Sequence, residues 1–269
     1  MFKVGVNSCI VKEITGRGLS LAEMGVDVIE LGFDDLPLIV DGKVNYDAVS
    51  KLQSLDVEFT IHAPTSDAKD KPTRVDLGTR SKHNMKVMKN VFEIASLLNA
   101  KCVVVHGGDI KDSYQMAFLN TKMQLAELSA LADDYSVNLC LENLEDNRIG
   151  ALPYELLPLI GRNMTVTLDV GHAFLVSLKY GMPLQEFFNV LGMYTTHVHL
   201  HDNLGFADNH LAFGEGIIDM NYVLNELVKL HPKNVILEII NYSSTNNILR
   251  SINNVSIAKE LVLVTHKNL

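Results

Sequence analysis

Short, apolar, β-branched runs recur along this chain with longer helix-patterned segments between them, and that alternation narrows the fold more than any other feature. The runs are KVGVN (3–7), VDVIELG (26–32), EFTIHA (58–63), KCVVVHG (101–107), VNLCLEN (137–143), TVTLDV (165–170), THVHLH (196–201) and NVILEII (234–240). Each is nearly all apolar, the pattern of strands in a parallel sheet covered on both faces. Between them, Met116, Leu119, Met123, Ala126 and Ala130 repeat at spacings of three and four, as do Met220, Val223, Leu224, Leu227 and Val228. Both stripes predict helix faces packed on the sheet. Ser113 and Asp219 are the expected N-caps, and Asn99, Ser136 and Gly161-Arg162-Asn163 punctuate helix-to-strand turns.

Eight strands alternating with helices in 269 residues is the arithmetic of a single (β/α)8 TIM barrel. No composition shift or Pro/Ser-rich linker divides the chain, so one domain spans residues 1–269. A doubly wound open sheet is the alternative. It ordinarily carries a Gly-rich phosphate turn after the first strand, and NSCIVKEITGRG is not of the GxGxxG form.

The formal charge is −9, from 23 basic and 32 acidic residues, which removes a generalised basic footprint for nucleic acid or an anionic membrane. Of the three cysteines, Cys102 and Cys140 sit inside apolar runs, as buried reduced thiols would. MFKVGVNSC lacks the apolar core of a signal peptide, and no apolar run is long enough to cross a membrane. The expectation is a cytoplasmic protein in a reducing compartment.

In such a barrel, chemistry collects at the carboxyl ends of the strands. Those ends carry Glu30, His62, His106, Glu142-Asn143, Asp169 followed by His172, and then His197, His199 and His201-Asp202. The next loop adds Asp208 and His210, and Glu238 lies within the apolar VILEII. Seven of the ten histidines are thus expected at one rim, with His83, His231 and His266 left as solvated imidazoles elsewhere. A single strand-end histidine is ordinarily a hydrogen-bonded core residue. An ionised Glu238 in an apolar strand, however, is costly without a cation or donors. Convergent imidazole and carboxylate without cysteine suits Zn²⁺, Mn²⁺, Co²⁺ or Fe²⁺, and the donors exceed the needs of one ion.

These motifs resemble the xylose isomerase-like TIM-barrel superfamily, which holds sugar isomerases, ketose epimerases and the endonuclease IV type of DNA-repair enzyme. The resemblance runs from IELGF (29–33) to LEII (237–240), through HAP (62–64), VVVHGGD (103–109), LENL (141–144), LDVGHA (168–173), HLHDN (199–203) and DNHLAFGEGIID (208–219). The last three look most like the sugar phosphate isomerase/epimerase branch. That branch implies one divalent ion on Glu142, Asp169, His199 and Glu238. The endonuclease IV pattern implies three zinc ions on His62, His106, Glu142, Asp169, His172, His199, Asp208, His210 and Glu238, and each position carries a compatible residue. The resemblance therefore implies one to three divalent ions per chain, zinc or manganese foremost.

Departures from the endonuclease pattern disfavour DNA. Where Arg and Tyr enter DNA in those enzymes, this chain reads GFDDLPL and APTSDAK. In the strand-end loops Asp34, Asp35, Asp109, Asp112, Glu145, Asp146, Asp202, Asp208 and Glu215 outweigh Lys12, Arg17, Lys111, Arg148 and Lys179. A basic cluster of Lys69, Lys71 and Arg74 is diluted by Asp67, Asp70 and Asp76. Phosphate contacts dominate DNA affinity, so a small sugar or sugar phosphate is the expected partner.

Three functions follow. In an isomerase or epimerase, Glu142 and Glu238 exchange a carbon-bound proton and His172 meets a substrate oxygen, with Glu30, Asn143, His201 and Asp202 as substrate contacts. In an endonuclease IV-like phosphodiesterase or phosphatase, zinc generates hydroxide, and Asp208 and His210 are the residues a mononuclear isomerase does not need. A barrel that binds metal or sugar without turnover is the third reading. Tyr242-Ser-Ser-Thr245 opens the last helix as an ordinary N-cap or, less simply, a phosphate site, and Gly214-Glu-Gly216 reads as a turn.

Overall fold

The computed structural model of the chain describes residues 1–16, 18–145 and 147–267, with side chains described to residue 261. Arg17, Asp146 and the side chain of His266 lie outside the described residues. All eight expected strands form: β1 (Lys3–Asn7), β2 (Val28–Leu31), β3 (Glu58–His62), β4 (Cys102–Val105), β5 (Asn138–Glu142), β6 (Met164–Asp169), β7 (Thr195–Leu200) and β8 (Asn234–Leu237). They close in the order β1-β8-β7-β6-β5-β4-β3-β2, which excludes the open sheet. Two compact units are distinguished, Met1–Ile29 with Thr167–Leu269 and Glu30–Val166, and each is described by itself.

In the first unit β1, β8 and β7 pair in parallel, with Val6 opposite Leu237 and Leu237 opposite Leu200. Val4, Val6, Val198, Leu200, Val235, Ile236 and Leu237 are wholly buried, as the unbroken apolar runs required. Helices α1 (Val11–Thr15), α6 (Val170–Tyr180), α7 (Gln185–Leu191), α8 (Met220–Leu230) and α9 (Thr245–Lys267) belong to this unit. Asp219 caps α8 by accepting from the Tyr222 N–H at 3.1 Å, and Val223 and Leu227 of its stripe are buried. One strand end differs from expectation: β8 stops at Leu237, so Glu238 stands at its carboxyl exit, with its N–H still donating to the Leu200 carbonyl of β7 at 3.0 Å.

In the second unit β3, β4 and β5 pair in parallel, with His62 opposite Val104 and Val105 opposite Leu141. Cys102 and Cys140 are buried on these neighbouring strands, their Sγ atoms 2.7 Å apart. Helices α2 (Tyr46–Gln53), α3 (Lys82–Leu97), α4 (Tyr114–Asp134) and α5 (Pro153–Leu156) belong to it, α3 and α4 carrying most of its helical residues. Ser113 caps α4 as expected, accepting from the Met116 N–H. The face of α4 is a correction. Met116, Leu119, Met123, Ala126 and Ala130 all point outward, whereas Ala117, Thr121, Leu125, Leu128 and Ala132 are buried.

Hydrogen bonding explains that reversal. On the inner side of α4 the Gln124 amide donates to the Leu77 carbonyl at 2.7 Å and accepts from Asn84 at 2.9 Å. The Ser129 hydroxyl donates to the Arg162 carbonyl at 2.6 Å. A polar side chain with satisfied partners is buried without penalty, so apolar periodicity alone misassigned the face. Asn99, Ser136 and Asn163 do sit at turns, with φ of 55°, 55° and 60°. A small hairpin pairing Ile39–Val40 with Lys43–Val44 was not foreseen.

Candidate metal centre

The first unit gathers Asp169, His172, His199, His201, Asp208, His210 and Glu238. Asp169 ends β6 and at the same time caps α6, its Oδ1 accepting the His172 N–H at 2.7 Å. The LDVGH sequence thus turns strand into helix with a carboxylate and an imidazole side by side. His199 Nδ1 lies 3.2 Å from Glu238 Oε2 and 3.8 Å from Asp169 Oδ2, and both His199 and Asp169 are fully buried. Asp208 receives two imidazoles on Oδ2, His172 Nε2 at 3.2 Å and His210 Nε2 at 2.8 Å.

His210 supplies the decisive chemistry. Its Nδ1 is 2.9 Å from the Glu238 backbone carbonyl, which can only accept, so Nδ1 carries the hydrogen. Nε2 then presents a lone pair to the Asp208 carboxylate. Two acceptors cannot share that distance unless a proton or a cation stands between them. Burial alone would pull the His210 pKa down, but the Asp208 hydrogen bond and the charges of Glu238, Asp208 and Asp169 outweigh it and raise it to about 9. Burial pushes Asp208 upward, and His172 and His210 reverse this, holding it well below the usual carboxylate range.

The second unit repeats the arrangement. His62 Nδ1 lies 2.9 Å from the Ala63 carbonyl, and its Nε2 faces Glu142 Oε2 at 3.2 Å. His106 Nε2 approaches the same oxygen at 3.1 Å, with the two rings edge-to-face at 4.9 Å. Burial lowers the His106 pKa, and the nearby Glu142 carboxylate only partly offsets that. Arg148, which sequence reading counted merely as a rim charge, sits 3.5 Å from His106 Nδ1 and pairs with Asp67 at 3.1 Å. Nothing in the local sequence marked that contact.

The donors of both units suit a divalent cation: oriented imidazoles set against carboxylates, where a cation would replace the proton that otherwise holds His210 to Asp208.

Other expected site residues are placed differently. Asp202 is spent on its own loop, accepting the N–H groups of Asn203 (2.9 Å), Gly214 (2.9 Å), Gly216 (3.0 Å) and Ile218 (3.0 Å). Fully buried with both oxygens occupied, it is a loop anchor and not a substrate contact. His197 pairs in register with Asn234, the first residue of β8, and its Nδ1 lies 3.4 Å from the Asn234 amide. His197 is the third of the six residues of β7, short of its carboxyl end, so among the described residues six histidines stand at the rim. Glu30 is buried and accepts from the Thr60 hydroxyl at 3.0 Å, and Asn143 is fully buried beside Glu142. Ahead of α9 the Ser243 N–H donates to the Glu215 carboxylate at 2.8 Å, so that donor is already committed.

The sequence profile described as Xylose isomerase-like TIM barrel matches residues 20–262. The chain belongs to this family. Among similar proteins is Uncharacterized protein MJ1311 of Methanocaldococcus jannaschii, 29% identical over 248 residues that cover 87% of this chain and 82% of that protein. The crystal structure of a D-tagatose 3-epimerase-like protein superposes with a TM-score of 0.76 at 24% identity, covering 98% of this chain and 99% of that one. D-Psicose 3-epimerase with D-tagatose from Clostridium cellulolyticum H10 gives 0.68 at 13% identity, covering 98% and 99%. At these identities the two structures establish the fold alone. Among the described residues no helix is long and apolar enough to cross a membrane.

Proposed function

We propose that this chain is a divalent-metal-dependent isomerase or epimerase acting on a sugar or sugar phosphate by proton transfer. The observation that carries this is the cluster of His199, Asp169 and Glu238 in the first unit, where His199 Nδ1 stands 3.2 Å from Glu238 Oε2 and 3.8 Å from Asp169 Oδ2. The family's fold supports the substrate class, because structures that share it include proteins named D-tagatose 3-epimerase-like and D-psicose 3-epimerase. The proposed ligands of the principal ion are Glu142, Asp169, His199 and Glu238.

Bound there, the ion would polarise a carbonyl and a neighbouring hydroxyl oxygen of the sugar and stabilise the enediolate. Glu238, at the exit of β8 and not wholly enclosed, takes the proton from carbon in this reading. Glu142 returns a proton to the opposite face in an epimerase, or to the adjacent carbon in an isomerase. Their surroundings differ enough for the roles to divide: Glu142 is fully buried between two imidazoles, while Glu238 keeps a side chain 17% exposed. His172, in the first turn of α6, is the donor to a substrate oxygen. Glu30 and Asn143 are the remaining proposed substrate contacts.

A second reading, a multinuclear zinc phosphodiesterase or phosphatase, is favoured by the further donor set of His172, Asp208 and His210. The test is direct. Protein loaded with Mn²⁺, Co²⁺ or Zn²⁺ is incubated with ketohexoses, ketopentoses and their phosphates in deuterium oxide. Epimeric or isomeric product carrying deuterium at one carbon is expected. Hydrolysis of phosphodiesters by zinc-loaded protein, with no deuterium entering any sugar, would replace the first reading by the second.

A further inference from the structure

His201 is the residue the functional reading leaves unexplained. Its ring is fully buried, and neither Nδ1 nor Nε2 has an aligned hydrogen bond. A buried imidazole has one N–H and one lone pair to satisfy, so leaving both unmet is costly. The ring also occupies space reserved for it. A Cβ on Gly171 would stand 2.0 Å from His201 Cε1 and 2.3 Å from Nε2, so only glycine at the start of α6 admits it.

The surroundings of Nε2 identify what is missing. It lies 3.3 Å from Asp169 Oδ1 and 3.5 Å from Asp208 Oδ1, and the latter oxygen is itself buried without a hydrogen bond. The His210 ring stacks on His201 at 4.2 Å, and the His172 ring meets it edge-on at 5.9 Å. One ligand atom from each of His172, His201, Asp208 and His210 lies within 4.8 Å of all the others. Neither of the ligand sets implied by the family resemblance includes His201.

We propose that His172, His201, Asp208 and His210 form a closed, four-ligand zinc site in which His201 supplies the fourth bond. Three imidazoles and a carboxylate fill a tetrahedral shell, and a shell filled by protein has no position for an activated water. The ion held here is structural: it locks the loop after β7 onto the start of α6 and takes no part in bond making. His172 and His201 are thereby ligands and not substrate contacts, so with this ion bound His172 no longer serves as donor to a substrate oxygen. The inference rests on the metal-dependent reading of the same rim, and it makes hydroxide generation at this ion the wrong expectation.

Two measurements test it. Cobalt-loaded wild-type protein should show the intense visible d–d absorption of a four-coordinate ion, and zinc-loaded protein should keep one ion through dialysis against a chelator. In His201→Asn that chelator-resistant ion should be lost, with zinc affinity at the site reduced by at least about 100-fold, the scale already reached by losing a residue outside the ligand shell. If wild-type protein takes up no divalent ion at all, the metal-dependent function falls and this site with it. If it takes up metal but the cobalt spectrum is only that of five- or six-coordinate ions, the closed site alone is overturned. Unchanged zinc retention in His201→Asn also overturns it. Should that variant not fold, the wild-type cobalt spectrum decides by itself.

Discussion

The backbone carbonyl of Glu238 accepts from His210 Nδ1 at 2.9 Å, so the residue leaving β8 orients a histidine on the loop after β7 through its main chain. Its side chain is left for other work. Glu238→Gln keeps the carbonyl contact and the shape of the side chain while removing the proposed base. Turnover on any accepted sugar should fall by about 100-fold to 10,000-fold, the usual yield of general acid–base catalysis. Steady-state kinetics with metal content measured in parallel checks this. Near-wild-type turnover in a fully loaded variant would remove Glu238 from proton transfer.

Metal should stabilise the folded chain, because the oriented imidazole and carboxylate donors do not converge once the chain unfolds. At a free ion concentration 100 times the dissociation constant the gain is about 2.7 kcal/mol, or roughly 5–10 °C for a chain of this size. Differential scanning calorimetry with Zn²⁺ or Mn²⁺, then with excess chelator, should show the midpoint rise and return. A midpoint indifferent to both would mean that the donor clusters bind nothing.

Gly171→Ala places a methyl group inside the His201 ring and is expected to cost about 1–3 kcal/mol as an overpacked core position. Unlike an ordinary overpacking defect, it should also weaken zinc retention. Denaturant unfolding of the chelator-treated protein separates the two effects. Stability and zinc retention both equal to wild type would show that the ring has room to move.

Asp76 gives an acid-sensitive feature outside the proposed ligand set. Burial would raise its pKa, but the Lys111 ammonium at 2.6 Å and the N–H groups of Gly78 (2.8 Å) and Asp109 (3.0 Å) prevail and lower it. A carboxyl depressed in the folded state adds stability above its unfolded pKa, and that stability is lost as pH falls through the folded value. Asp76→Asn should therefore cost about 1–3 kcal/mol at pH 7, the scale of hydrogen bonds to a charged group. The difference should shrink below about pH 4. Unfolding midpoints of both proteins from pH 7 to pH 3 test the slope, and a constant offset would contradict it.

The strands were legible because β-branched apolar runs carry their own signature, and closure followed from their number. Rim residues such as His62, Asp169 and His199 were legible because strand ends in a barrel have a known destination. Asp202 and α4 were not. In the first case four backbone N–H groups of the next loop claimed a carboxylate that looked free. In the second, Gln124 and Ser129 found partners inside, and the apolar stripe turned outward. Sequence periodicity reports hydrophobicity and is silent on hydrogen-bond partners, which here decided both outcomes. The contact of Arg148 with His106 was illegible for the same reason.

The four N–H groups converging on Asp202 bear on how quickly an ion can be captured. They pin the segment from Gly214 to Ile218, and an antiparallel bridge between Asp202 and Leu211 ties down its near side. Asp208 and His210 lie in the stretch that the bridge closes, already facing their partners before any cation arrives. Capture then need not order a wandering loop, and little of the affinity is forfeited to lost chain freedom. Association should be limited by the stripping of water from the ion, with a rate that follows the ligand-exchange character of the metal rather than any motion of the protein.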